Sequence, residues 1–346
     1  MSKILHFGCW NMTGPDFDRT IKMVNSLDLS KYKFLSIGGD NYYKKVCEMK
    51  NKKNVKINEY NEQNLIDGFN KLPKNINIIM INGNHDIYDH YYNAPMCSSL
   101  IKQNSLNIKN IKKVNDVYHY KLNNSMFIFL DSNLYDLPDK MYIKDTCYAH
   151  LDHSKKFLNI KDLRYDQNKK IQNILKEQDC KNLFFVCYHP IIFMRSGYNT
   201  RKNAHASANY TIVLYKFTEF LENNKKLLKN KNIYQLCAHN HIYQEIQVIV
   251  GKHDDIKITQ IVAGTGGAGL YEPPLIDEVN IPPYKIKAKI IKSISSHGAV
   301  EIDINTDDDV SFNFIRSDGQ TGGNITKTIL PKTILQKYLM LKKLIY

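Results

Sequence analysis

The chain has 346 residues, 43% of them apolar and 24% charged. That is enough apolar surface for one large domain or two modest ones, and too much for an intrinsically disordered chain. Lys and Arg number 48 against 34 Asp and Glu, leaving a formal charge of +14. An anionic partner or substrate would suit that charge; so would the plain Lys, Asn and Ile bias of an AT-rich genome.

No signal-peptide pattern opens the chain, and no apolar run is long enough to span a bilayer. The seven cysteines (9, 47, 97, 147, 180, 187 and 237) are odd in number and include no Cys-x-x-Cys pair. A disulfide framework or zinc ribbon is therefore not expected, and a reducing, cytoplasmic setting is.

In chain order, residues 4–10 read as a strand, 16–27 as a helix, 33–37 as a strand, 62–72 as a helix and 75–82 as a strand. Two strands close enough to pair follow in 116–131, then a helix over 165–178. The strand 182–188, a helix over 211–222 and the strand 233–238 come next. Beyond them EIQVIV, KITQIVA, GAVEIDI and SFNFI all read as strands. Alternating β and α followed by a run of strands predicts an α/β sandwich with helices outside.

Three stretches read as loops: 134–163, 193–208, and 272–284 with its four prolines. Loops of that length are commonly substrate-facing. The tail 325–346 carries five lysines and no acid, and reads as a basic C-terminal helix. The expected organisation is one large domain over 1–325 and this tail over 326–346.

Polar residues of metal-ligand type fall directly behind apolar strands five times: Gly8-Cys9-Trp10-Asn11, Gly39-Asp40-Asn41-Tyr42-Tyr43, Gly83-Asn84-His85-Asp86, His189-Pro190 and Ala238-His239-Asn240-His241. Each fragment alone is weak, since Gly-Asp-Asn is a common turn and Asn-His-Asp can cap a helix. Their ordered conjunction is informative. In an open α/β sheet the loops at strand C-termini converge on one crevice, so Asp40, Asn84, His189, His239 and His241 can reach one pocket. Imidazole, carboxylate and amide together suit zinc, iron or manganese, and a bridging carboxylate with several imidazoles suits two ions about 3.5–4 Å apart.

These blocks resemble the signature of calcineurin-like metallophosphoesterases, and within them most nearly the purple acid phosphatases of the tartrate-resistant type. Phe7-Gly8-Cys9-Trp10 resembles their Gly-Asp-Trp, and Gly39 to Tyr43 their Gly-Asp-Asn-aromatic-Tyr. Leu130-Asp131-Ser132 and His297-Gly298 also fall where that family has similar segments, so the likeness spans roughly 4–305.

The resemblance implies a four-layer α/β/β/α sandwich of two mixed sheets flanked by helices, with the metal site at strand C-terminal ends. It implies that Asp40 bridges two divalent or trivalent transition-metal ions (iron, zinc or manganese). Asn84, His189 and His239 would complete one site; Tyr43, His241 and position 9 would complete the other. A metal-bound hydroxide would attack a phosphate monoester in line, His85 would stabilise or protonate the leaving alkoxide, and Asp86 would orient His85. His85 sits one residue past a ligand, which by itself places it near the metals.

Position 9 departs from the family, which has aspartate where this chain has Cys9. A thiolate ligand would favour zinc; a neutral thiol would leave that site short. An altered two-metal site, a single-metal enzyme and a binding protein without turnover all remain open.

Gly264-Thr-Gly-Gly-Ala-Gly269 matches a dinucleotide fingerprint, but Leu-Tyr-Glu-Pro-Pro follows instead of a helix, so a glycine turn near the metal cleft is expected. The expected function is phosphatase action on a phosphorylated small molecule or phosphoprotein. The alternatives are a nucleic-acid-directed phosphoesterase, suggested by charge alone, and a non-catalytic metal- or phosphate-binding protein.

Overall fold

The computed structural model describes residues 2–12, 14–43, 61–87, 97–195, 210–251, 256–274 and 276–318. The first half holds β1 (Ser2–Phe7), α1 (Pro15–Ser26), β2 (Tyr32–Ile37), α2 (Glu62–Lys71), β3 (Ile78–Ile81), α3 (Asn84–Ile87), α4 (Cys97–Ser105), β4 (Ile111–Val114), β5 (Tyr118–Leu122), β6 (Ser125–Phe129), α5 (Asn133–Asp136) and α6 (Ile160–Glu177). The second holds β7 (Asn182–Val186), β8 (Ile192–Met194), β9 (Tyr210–Ile212), α7 (Tyr215–Asn223), α8 (Lys225–Leu228), β10 (Asn232–Cys237), β11 (Tyr243–Val250), β12 (Ile256–Ala263), β13 (Glu278–Ile281), β14 (Ile286–Ile294), β15 (Gly298–Ile304) and β16 (Val310–Arg316).

Two mixed sheets result. One runs β16-β15-β1-β2-β3-β4, the other β13-β14-β11-β12-β10-β7-β6-β5. In the first, β1 to β4 are parallel; in the second, β6, β7, β10 and β12 are parallel. Parallel strands covered on both faces read as continuous apolar runs, and β3, β6 and β7 are buried at every residue.

A central apolar layer joins the sheets, with Ile4, Phe34 and Val300 from one and Phe127, Phe184 and Ile261 from the other. Phe127 stacks on Phe184 at 4.3 Å and Phe184 on Tyr234 at 4.6 Å across β6, β7 and β10. Each such pair contributes about 1 kcal/mol beyond its burial. Outer layers are built by α1 and α2 on the first sheet and by α6 and α7 on the second. The architecture is the four-layer α/β/β/α sandwich.

Several expectations are corrected. Residues 134–163 are not a plain loop: Leu134, Leu137, Ile143, Tyr148 and Leu151 bury with Ile87 and Leu100 in a satellite core. The Pro-rich 272–284 contains β13, because its four prolines flank rather than interrupt the residues that pair with β14. The helix expected over 211–222 divides into the end of β9 and α7. A disulfide joins Cys97 to Cys147, with Cα atoms 4.9 Å apart across 50 residues, where no disulfide framework and a reducing setting were expected. Cys9, Cys180, Cys187 and Cys237 are free and buried. The tail 325–346 and most of the 193–208 loop lie outside the described residues. Among the described residues no helix is long and apolar enough to cross a membrane.

Candidate metal centre

The strand-end blocks come together where the parallel strands finish. Cys9 follows β1, Asp40 follows β2, Asn84 follows β3, His189 follows β7, and His239 and His241 follow β10. Four of the non-glycine residues in this region have left-handed backbone: Cys9 (φ 53°), Asn11 (54°), Asp40 (51°) and His239 (60°). Such conformations are costly and persist where packing over-determines them, characteristically at functional sites.

The glycines of the motifs have a steric reason. A Cβ on Gly83 would lie 2.2 Å from Asp40 Oδ1 and 2.3 Å from Asp40 N, so only glycine lets the third block pass the Asp40 carboxylate. One on Gly264 would reach Asn240 O at 2.3 Å. The glycine segment lies against the first block, with Gly266 N donating to Gly8 O and Ala268 N to Cys9 O. No α-helix follows it among the described residues.

Asp40, fully buried, is the hub. Its Oδ2 accepts from the Tyr43 hydroxyl at 2.8 Å and from the Tyr188 hydroxyl, with Cys9 Sγ 3.9 Å away. Its Oδ1 accepts the His85 backbone N–H at 3.0 Å. Among the described residues, Cys9, Asp40 and His241 form a cluster whose ligand atoms all lie within 4.8 Å of one another.

His241 Nδ1 lies 2.8 Å from Gly269 O, a carbonyl that can only accept, so Nδ1 carries the proton. The Nε2 lone pair is then left 3.3 Å from the Tyr43 hydroxyl. An imidazole pinned through one nitrogen by a carbonyl presents the other to a metal. Asn84 Oδ1 is buried without a hydrogen-bond partner, an unsatisfied acceptor of the kind that a cation would relieve. Sulfur, carboxylate, phenol and imidazole around one point are a donor set that fits a transition metal.

His189 and His239 stand together, ring centroids 4.8 Å apart. Ser132 Oγ lies 3.1 Å from His189 Nδ1 and accepts the backbone N–H groups of Tyr188 and His189. His239 Nδ1 is 3.0 Å from the Tyr188 hydroxyl.

Burial governs protonation here. Desolvation, with Asp40 beside them, holds the Cys9 thiol and the Tyr43 and Tyr188 phenols well above their ordinary values. Burial and the neighbouring His189 push His239 far down, and burial lowers His241 to about 4. Without a cation the cluster is neutral thiol, phenols and imidazoles around Asp40; a bound cation inverts that balance by favouring thiolate and phenolate.

The two residues given catalytic roles by resemblance separate. His85 is partly exposed, with its ring 4.8 Å from that of Tyr43 at the edge of the cluster. Asp86 is fully buried, and its carboxylate accepts from Asn41 N, Asn41 Nδ2, Gly83 N and Gln103 Nε2. Those contacts tie the second and third blocks and α4 together and include no bond to the His85 ring. Sequence reasoning missed Tyr188: a tyrosine ahead of His-Pro reads as the last apolar residue of a strand.

A sequence profile described as calcineurin-like phosphoesterase matches residues 2–243. No curated protein sequence matches significantly. Similar solved structures include GAP50, titled the anchor in the inner membrane complex of Plasmodium, at 13% identity and TM-score 0.51, covering 97% of this chain and 93% of that one. The purple acid phosphatase PPD1 of yellow lupin (Lupinus luteus) is similar at 13% identity and TM-score 0.55, over 93% of this chain and 52% of that one. The chain thus spans about half the length of the lupin protein. PhoD is similar at 12% identity and TM-score 0.53, over 95% and 72%.

Proposed function

The chain belongs to the calcineurin-like phosphoesterase family, and we propose that it is a metal-dependent phosphatase acting on phosphate monoesters. One observation carries the reading: Cys9, Asp40 and His241 bring three ligand atoms within 4.8 Å of one another, beside the Tyr43 hydroxyl. A metal held there supplies Lewis-acid polarisation of a phosphoryl oxygen and a lowered pKa for water.

The chain's own residues supply the rest. Asp40 is the common carboxylate, and His241 offers Nε2. Asn84, His189 and His239, which the resemblance gives to a second ion, follow β3, β7 and β10 into the same crevice. His85, at the exposed edge over Tyr43, is placed to give a proton to the departing alkoxide. Asp86 works through the backbone, holding Asn41 and Gly83 so that their neighbours Asp40 and Asn84 stay in place. Trp10 and Tyr43 favour the purple acid phosphatase branch; Cys9 favours zinc over ferric iron. The disulfide favours an oxidising setting over the cytoplasm.

The test is hydrolysis of an aryl phosphate with added zinc, manganese or iron, for wild type and Asp40→Asn. Hydrolysis should depend on metal and fall by at least about a hundredfold in the variant, since ligand geometry controls such sites. Equal rates in both proteins would refute catalysis at Asp40. A second reading, a phosphate- or metal-binding protein without turnover, is favoured by the missing carboxylate at Cys9. Phosphate binding with no hydrolysis under any metal would establish it.

A further inference from the structure

Tyr188 belongs to none of the motif blocks, yet its hydroxyl bridges two of them. It donates to Asp40 Oδ2 and lies 3.0 Å from His239 Nδ1. A hydroxyl has one proton, so with that proton on Asp40 it accepts Nδ1–H from His239. The His239 lone pair is then on Nε2, and Nδ1, the nitrogen that meets Asp40 through the hydroxyl, is closed to an ion shared with that carboxylate. His241 is the opposite case: its Nδ1–H is tied to Gly269 O, and Nε2 faces the cluster.

An ion shared by Asp40 and His239 Nδ1 would have to sit about 2.0–2.2 Å from each. The hydroxyl oxygen already stands between those two atoms. Nor is the tyrosine free to swing away. It is 1% exposed, and its ring packs edge-on against His189 at 4.7 Å and His239 at 5.1 Å. Its Cδ2 is so near Gly39 that a Cβ there would come within 2.8 Å. Its backbone N–H is held by Ser132 Oγ.

We propose that the Tyr188 hydroxyl fills the position between Asp40 and His239, so that the chain binds one transition-metal ion, on Cys9, Asp40, Tyr43 and His241, instead of two. This rests on the reading of the cluster as a metal centre. The hydroxyl acts as a latch: it restrains Asp40 for the ion beside Cys9 and denies a second ion the place between Asp40 and His239.

Ion count and ion position test it directly, on the full chain. Equilibrium dialysis against zinc followed by elemental analysis should give one ion per wild-type chain. Tyr188→Phe, which keeps the packed ring, and Tyr188→Ala, which clears the space, should each take up a second. Cobalt substitution should give wild type a thiolate-to-cobalt charge-transfer absorption that Cys9→Ser abolishes and both Tyr188 variants retain. Two zinc ions on wild type would overturn the latch while leaving the metal centre standing. So would a single ion on all three proteins, or one cobalt bound without the thiolate band. No ion on wild type would overturn the metal reading itself.

Discussion

A methyl group on Gly83 would lie 2.2 Å from Asp40 Oδ1, which makes a silent-looking glycine part of the site. Gly83→Ala must move either the Asp40 carboxylate or the third block. It should lower stability by about 2 kcal/mol, typical of overpacking, and weaken zinc binding as well; denaturant unfolding and dialysis would measure both.

A second consequence at this scale concerns His6, fully buried in β1 between Ser36 Oγ at 3.1 Å and Cys237 O at 3.3 Å. Burial lowers its pKa from 6.5 to about 4. Between those values the unfolded chain binds a proton that the folded chain does not, so stability must fall as pH drops through that window. His6→Leu should reduce the slope of unfolding free energy by up to about 1.4 kcal/mol per pH unit, seen in urea titrations between about pH 6 and pH 4.

The candidate ligands Cys9, Asp40, Asn84, His189, His239 and His241 were legible because they are metal-binding types placed two to four residues past apolar strands. Tyr188 was not, since its role depends on a hydroxyl meeting a carboxylate 148 residues away. Asp86 was expected to orient His85, and its actual partners were not legible, because Gln103 reaches it from α4.

Elements tell a parallel story. Strands fully covered on both faces were read within a few residues, since their apolar runs stop where the polar blocks begin. Helix α6 starts five residues earlier than its apolar periodicity suggests, because the Asn159 side chain caps it by accepting from Asp162 N. Residues 134–163 looked like a loop because their apolar residues follow no single period; they bury through short helical turns and a disulfide. That disulfide closes a 50-residue span from α4, and α4 carries Gln103 onto Asp86. Cys97→Ser should therefore cost about 2–4 kcal/mol, and alkylation of denatured wild type should find two further thiols only after reduction.

For the whole molecule, the two-sheet sandwich follows from β-α alternation ending in antiparallel strands, and the order of the blocks followed from the parallel strands that carry them. Which cysteines pair and which hydroxyl enters the centre depend on contacts across both sheets, which one-dimensional patterns do not encode. The charge of +14 acquires a use if the substrate is an anionic ester drawn to a cationic centre. The most direct test removes the metal from the intact chain with a chelator and restores it stepwise while following phosphate release from an aryl phosphate. Hydrolysis should vanish on chelation and return in proportion to bound ion, saturating when the centre is filled. Hydrolysis that survives chelation, or an ion-filled centre that releases no phosphate, would contradict a metal-dependent phosphatase.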